Sequence, residues 1–153
     1  MLYDKEIGKG SFKIFTSPVG MREWTLKAEA NNLIVNLGLN LSRDNTFKTQ
    51  TYFVNWGGVS DNTDVPAVGD TSLGGTEVRK AIQNKNLETT AVFFGEYFIS
   101  ATEWLAAGIT DVTKAGMYYQ ATGNYLFNSA KFDAISVDED TDMLVQWTVT
   151  FSN

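Results

Sequence analysis

Residues 143–153 read MLVQWTVTFSN, and the alternation within this stretch decides the fold class. Two sets of positions alternate here: Leu144, Gln146, Thr148 and Thr150 on one side, and Val145, Trp147, Val149 and Phe151 on the other. Successive side chains of a β-strand point to opposite faces, so the apolar set falls on one face. The stretch therefore predicts a strand whose apolar face is buried against a core.

Further strand signals precede this one along the chain. Residues 115–132 contain two aromatic-rich runs around Ala121-Thr122-Gly123-Asn124, which predicts a β-hairpin. Residues 51–60, TYFVNWGGVS, predict a buried strand that stops at its two glycines. Residues 31–45 carry an Asn cap and leucines at helical spacing, which predicts one short helix. The pattern as a whole predicts an all-β protein: an antiparallel β-sandwich, jelly-roll-like or Ig-like, with one or two short helices.

The length of 153 residues predicts a single sandwich domain over residues 21–153. Residues 1–20 are interpreted as an N-terminal arm. Apolar side chains are set there among glycines and charges: Tyr3, Phe12, Ile14 and Phe15. Because this set is too apolar to lie free in water, we expect the arm to dock on a neighbouring subunit.

The composition narrows the range of functions. The chain has no cysteine and no histidine, so it has no thiolate nucleophile and lacks the commonest general base and metal ligand. We therefore expect no enzymatic activity, no cofactor and no metal. The formal charge of −6 argues against nucleic acid as a partner, because phosphate binding depends on Lys and Arg. Without a long apolar segment or a secretory signal, we expect no membrane partner and synthesis in the cytoplasm of the cell that makes the protein.

Residues 61–75 predict a long ordered loop, which leads into GDTSLGGTEVRK at 69–80. The glycines here are not followed by Gly-Lys-Ser/Thr, so the loop does not bind phosphate in the P-loop manner. We expect Asp70 to cap a turn and Leu73 to plug the core. Glu77 and Arg79 are two residues apart and would share one strand face, so they are expected to pair and tie the loop to the sheet or to a neighbouring subunit.

The acidic run at 138–142 has Asp at its first, third and fifth positions, as a calcium loop has. However, Met143 stands where a glycine is needed, and Val149 stands where a bidentate glutamate belongs. The run therefore predicts a solvated turn.

Two groups of side chains are candidates for other functions, namely sugar binding and glycoside hydrolysis. Trp56 and Trp104 border turns and are candidate platforms for stacking a sugar ring. Glu96 with either Glu103 or Asp111 forms the candidate pair for a carboxylate glycosidase, a reaction that requires two facing carboxyl groups.

Four segments in order resemble small structural proteins encoded in the virion modules of tailed bacteriophages: residues 31–44, 52–80, 109–119 and 123–151. Asp70, Thr71 and Leu73 match the Asp-Thr-x-Leu stretch of that family. Glu77-Val78-Arg79 has one residue less between its charges than the family's Glu-x-x-Arg. The family's Glu-x-Gly-hydrophobic element is matched in part by 114–117, where Lys114 stands near the expected acid.

The resemblance implies a non-enzymatic structural component of a tailed-phage virion, placed in the tail, neck or fibre attachment. Its partners would be other virion structural proteins, and it would assemble as a homo-oligomer, with a trimer favoured. Two alternatives stay open: a capsid decoration protein of the head, and a carbohydrate-binding β-sandwich that acts in receptor recognition.

Overall fold

The computed structural model describes residues 9–38, 40, 53–89 and 92–150. Within these ranges the chain forms nine strands and a seven-residue helix. The strands are β1 (Lys9–Pro18), β2 (Thr25–Ile34), β3 (Trp56–Ser60), β4 (Glu77–Ala81), β5 (Gln83–Thr89), β6 (Val92–Ile99), β7 (Asp111–Tyr118), β8 (Leu126–Ser136) and β9 (Thr141–Thr150), and the helix is α1 (Ala101–Ala107).

All strand pairs are antiparallel, and they join in one sheet of order β4-β3-β7-β8-β2-β1-β9-β6-β5. The sheet curls until β4 approaches β6, so it is nearly closed. The predicted all-β class is confirmed, and strands far apart in the order face each other across one interior.

The interior is filled by alternate residues of the strands, as the β9 sequence predicts. Val145, Trp147 and Val149 are buried, while Gln146 and Thr148 between them are half-buried and belong to the other face. Phe151, the last apolar residue of that pattern, lies outside the described residues. The β7–β8 hairpin around residues 121–124 is also confirmed.

The prediction of an N-terminal arm is wrong for residues 9–18. They form β1, which lies inside the sheet between β2 and β9. This strand pairs with β2 along one edge and with β9 along the other. Phe12 and Ile14 are buried in the core of the same chain. Pairing along both edges satisfies the backbone and buries the alternate apolar side chains, so this segment completes its own sheet. Tyr3 lies outside the described residues.

The prediction of a helix over residues 31–45 is wrong for the first of these residues. Residues 31–34 end β2, where Leu33 pairs with Ser129 and Ile34 with Asn128 of β8. Residues 36–38 are helical, and 41–45 lie outside the described residues. The long-range pairing with β8 outweighs a helix pattern already weakened by asparagine and glycine.

The two glycines predicted to end the third strand lie inside β3 instead. A Cβ on Gly57 would lie 2.1 Å from the ring of Tyr97, which reaches across the interior from β6. The Tyr97 hydroxyl donates to the carbonyl of Gly58 at 2.8 Å. Core packing thus requires the absence of a side chain at Gly57, a reason that the local sequence does not reveal.

Helix α1 is held at its start by a carboxylate from β9. Asp142 is buried and accepts the backbone N–H of Ala101 at 2.9 Å and that of Gly20 at 3.1 Å. Ser100 and Glu103 form a capping box, and Gly108 ends the helix in the left-handed conformation. In the part of the chain that the structure describes, no helix is long and apolar enough to cross a membrane.

Candidate functional site: the docked loop

The segment between β3 and β4, residues 61–76, is called the docked loop here. Its own side chains close its turns: Asp61 accepts the N–H of Thr76 at 2.7 Å, and Asp70 accepts the N–H of Ala67 at 2.8 Å. Asp70 therefore caps a turn, as predicted. The long loop keeps a defined path because its backbone donors find acceptors within it.

Leu73 fastens the loop to the outside of the sheet. Its side chain is 1% exposed and belongs to an apolar group that we call the outer cluster: Val35, Leu73, Tyr118 and Leu126. Two glycines make room for Leu73, because a Cβ on Gly116 would lie 2.9 Å from its Cδ2 and a Cβ on Gly58 would lie 3.4 Å from its Cδ1. Leu73 thus plugs a second core outside the sheet, rather than the interior.

The backbone of Leu73 is bound from three directions. Its N–H donates to the hydroxyl of Tyr118 at 2.7 Å. Its carbonyl accepts Nδ2 of Asn62 at 2.7 Å and Nζ of Lys114 at 3.4 Å. These bonds satisfy polar groups that the docked loop removes from water, which is the condition for burying them.

Glu77 and Arg79 form the predicted pair at the end of the docked loop, with Nη2 of Arg79 3.1 Å from Oε2 of Glu77. Both side chains are largely buried, at 12% exposure for Arg79 and 19% for Glu77. The Arg79 guanidinium stacks on the Tyr118 ring, and the Tyr118 hydroxyl donates to Oε1 of Glu77. Burial and the neighbouring Glu77 carboxylate raise the pKa of Tyr118 far above its usual range. The pair therefore ties the loop to β7 of the same chain.

A cavity of about 270 Å³ opens between the docked loop and β7. Its polar lining comprises Asn62, Asp64, Asp70, Thr71, Ser72 and Lys114. Lys114 is 1% exposed, and among the described residues its ammonium contacts one acceptor, the Leu73 carbonyl. A buried ammonium with so few hydrogen bonds is unfavourable, so this lysine is the least well satisfied member of the site.

In the acidic turn at 138–142, the carboxylate of Asp138 accepts hydrogen bonds from within the turn. Asp138 accepts the N–H of Asp140 at 2.9 Å and the hydroxyl of Thr141 at 2.8 Å. These hydrogen bonds, the backbone one above all, lower the pKa of Asp138. Across the described ranges, no three His, Cys, Asp or Glu side chains are grouped in a way that could hold a metal ion.

The glycan-stacking prediction is wrong for Trp104. Its side chain is 1% exposed, and its Nε1 donates to the Thr141 carbonyl at 2.7 Å, so no ring face is open to a sugar. Trp56 is half-buried and packs against the outer cluster. Neither tryptophan stands on the surface as a free platform.

The three candidate carboxylates of a glycosidase are each engaged with a different partner. Glu103 pairs with Lys80 at 2.9 Å, Glu96 accepts Nε2 of Gln146 at 3.2 Å, and Asp111 accepts the Ser136 hydroxyl at 3.3 Å. Each carboxylate is thus part of a separate structural contact.

The sequence patterns missed Tyr118 as the centre of the site. An aromatic residue within an aromatic-rich strand is ordinarily interpreted as core, and nothing in its spacing links it to Leu73 or Glu77. Lys114 and Gly116 did carry a signal, because the element at 114–117 had been singled out from the sequence.

Comparisons with protein-family models, with curated proteins and with solved structures found no match to this chain.

Proposed function

We propose that this protein is a non-enzymatic structural component of a tailed-phage virion, which acts in the tail, neck or fibre attachment. One observation carries the proposal: the separate motif elements that resemble the phage family meet at a single place. Leu73 of the Asp-Thr-x-Leu stretch packs on Gly58 of the glycine-rich strand and on Gly116 of the element at 114–117. Motif elements that a family shares are expected to contact each other in the folded protein, even where they lie far apart along the chain.

The chemistry of this cluster also fits a static building block. The charged pair of Glu77 and Arg79 is largely buried and bonded to Tyr118, so its role in this proposal is to hold the loop in place. A docked loop presents a fixed outer surface, and virion components bind their neighbours through fixed surfaces. Those neighbours would be other virion structural proteins.

A capsid decoration protein on the head is the second candidate within the same proposal. The contact around Leu73 supports both positions equally, because it concerns the family resemblance rather than the place in the particle. The carbohydrate-binding alternative is not advanced, since Trp104 is buried and Trp56 packs against the outer cluster.

Purified particles test the proposal. Particles from the phage or lysogen that carries this gene should contain the protein at a stoichiometric level by mass spectrometry, and electron microscopy should place it on head or tail. A chain that is expressed in the lysate but missing from the purified particles contradicts the proposal.

Complementation of a gene deletion separates the role of the docked loop from expression. Leu73→Asp places a charge in the outer cluster and should fail to restore the protein to particles. Val68→Asp lies in the same loop on an exposed residue and is the matched control, which should restore it. Equal incorporation of both variants would contradict the structural role of the docked loop.

A further inference from the structure

A row of large apolar side chains crosses the outer face of four neighbouring strands, and we call it the outer row. Its members are Leu26 of β2, Phe15 of β1, Leu144 of β9 and Phe98 of β6. They are direct register partners, since Phe15 lies opposite both Leu26 and Leu144, and Leu144 lies opposite Phe98. Register partners on one face are in side-chain contact distance, so the row is continuous.

The outer row faces away from the core. Phe15, Leu144 and Phe98 each lie next to buried residues along the chain, such as Ile14, Val145 and Tyr97, and strand neighbours point to opposite faces. Leu26 is the register partner of Phe15 at a bulge between β1 and β2. Leu26 is 46% exposed and Phe98 is 37% exposed. The row is therefore apolar surface in contact with water.

The turn after β1 extends this apolar surface. Trp24 packs edge-on against Phe98, with ring centroids 6.1 Å apart, and is itself half-buried. Val19 and Met21 of the same turn are 49% and 56% exposed. An antiparallel sheet normally presents polar side chains on its solvated face, and contiguous apolar patches on monomers are small. A surface of this kind marks a contact with another molecule.

The charged residues beside the outer row indicate what kind of molecule contacts it. The neighbouring row across the same strands is polar, with Lys13 opposite Glu29 and Gln146 hydrogen-bonded to Glu96. Among the residues of this face and its turn whose side chains the structure describes, three are cations and three are acids: Lys13, Arg22, Lys27, Glu23, Glu29 and Glu96. These six charges sum to zero, whereas the chain as a whole has a formal net charge of −6.

We propose that the outer row is the face through which copies of this chain meet. A chain of net charge −6 repels its own copies, whereas the described side chains of this face carry cations and acids in equal number around an apolar centre. Closed oligomers place the same patch of each copy around a symmetry axis, which requires a self-complementary surface of this kind. The contact is independent of the virion role, because it is a property of the purified chain.

Sedimentation velocity on the purified full chain tests this contact. The wild-type chain should self-associate as its concentration rises, and both Phe98→Lys and Leu26→Lys should shift it to the monomer. Leu105→Lys is the matched control, because Leu105 lies on α1, outside the outer row. At 78%, its side chain is more exposed than that of Leu26 or Phe98. A monomeric wild-type chain, or variants as associated as the control, would overturn the proposal. Circular dichroism of each variant confirms that it is folded.

Because the chain has no cysteine, a single introduced thiol gives a second test of the contact, and it leaves the apolar residues unchanged. Lys13→Cys introduces a thiol beside the outer row, and Lys131→Cys introduces one on β8 at an exposed residue. Alkylation of the first thiol should slow as the protein concentration rises, while alkylation of the second should not. Equal behaviour of the two thiols would count against a contact at this face.

Discussion

The guanidinium carbon of Arg79 lies 3.5 Å from the centroid of the Tyr118 ring, on the side of the sheet that the docked loop covers. The same Arg79 pairs with Glu77, and Glu77 accepts the hydroxyl of Tyr118. A planar guanidinium can stack and form an ion pair at once, which a lysine cannot do in the same geometry. The three side chains therefore act as one unit that closes the end of the loop on β7.

Removing the Tyr118 hydroxyl tests this unit. Tyr118→Phe keeps the ring under Arg79 but leaves the N–H of Leu73 without its acceptor at a buried position. We expect a loss of about 1–3 kcal/mol in the free energy of unfolding, measured by urea denaturation. Tyr125→Phe changes an exposed tyrosine and should have little effect. Equal stability of the two variants would contradict the assigned role of the hydroxyl.

Truncating Leu73 tests the outer cluster. Leu73→Ala removes a side chain that is 1% exposed and leaves a cavity over Gly116, so we expect the free energy of unfolding to fall by about 2–5 kcal/mol. Val68→Ala is the control in the same loop, on a side chain that is exposed. Limited proteolysis should cut the loop faster in Leu73→Ala than in the control. Unchanged cleavage would mean that Leu73 does not hold the loop.

The glycine in β3 gives a prediction about the interior. Gly57→Ala places a Cβ 2.1 Å from the Tyr97 ring, so the ring must move and its bond to the Gly58 carbonyl should be lost. We expect thermal denaturation to show a destabilised protein, by about 1–3 kcal/mol or more. At Gly69 a Cβ would meet nothing within 4 Å, so Gly69→Ala should leave the stability nearly unchanged. A Gly57→Ala protein as stable as that control would contradict the packing described.

The buried Lys114 predicts a variant that loses no stability. Lys114→Met keeps the length of the side chain and removes an ammonium that has one described acceptor at 3.4 Å. Because burying a poorly bonded charge is unfavourable, we expect the unfolding free energy to stay the same or to rise. Lys131→Met, at the exposed register partner on β8, should change it by less than about 0.5 kcal/mol. A clear loss of stability in Lys114→Met alone would show that the charge holds the loop.

Alkaline pH should destabilise the fold through two tyrosines. Burial raises the pKa of both Tyr97 and Tyr118 far above the usual value, so the neutral form is favoured in the folded state. This contribution is present below pH about 10 and is lost above it, because only the unfolded chain ionises these groups there. We expect the denaturation midpoint to fall as the pH rises above that value.

A phenolate absorbance titration checks this expectation. The absorbance of Tyr97 and Tyr118 should appear together with the loss of the native circular dichroism. All six tyrosines ionising while the native signal persists would contradict it.

Local patterns were sufficient to predict much of the fold. The alternation over 143–151 correctly placed Val145, Trp147 and Val149 inside, since a two-residue period is itself the geometry of a half-buried strand. The β7–β8 hairpin and the long loop also follow from local chemistry, because turn residues act within a few positions of one another. The pairing of Glu77 with Arg79 follows in the same way, from two positions on one strand face.

The errors concern segments whose partners are distant in the chain. Phe12 and Ile14 were predicted to dock on a neighbouring subunit, whereas β9 of the same chain, more than a hundred residues away, pairs beside them. Trp104 bordered a turn in sequence, yet the fold puts it under the start of β9, against the Thr141 carbonyl. In each case burial depends on a strand that the local sequence does not identify.

By itself, the sequence determined the all-β class, the turn between β7 and β8, the long loop and the two charges that close it, because these depend on neighbours within a few residues. The tertiary structure alone decided that Leu73, Gly58 and Gly116 share one contact, that Tyr118 bonds the loop, and that Phe15 and Phe98 lie in one row on the surface. These depend on strand order and register, which are set by the joint packing of residues far apart along the chain.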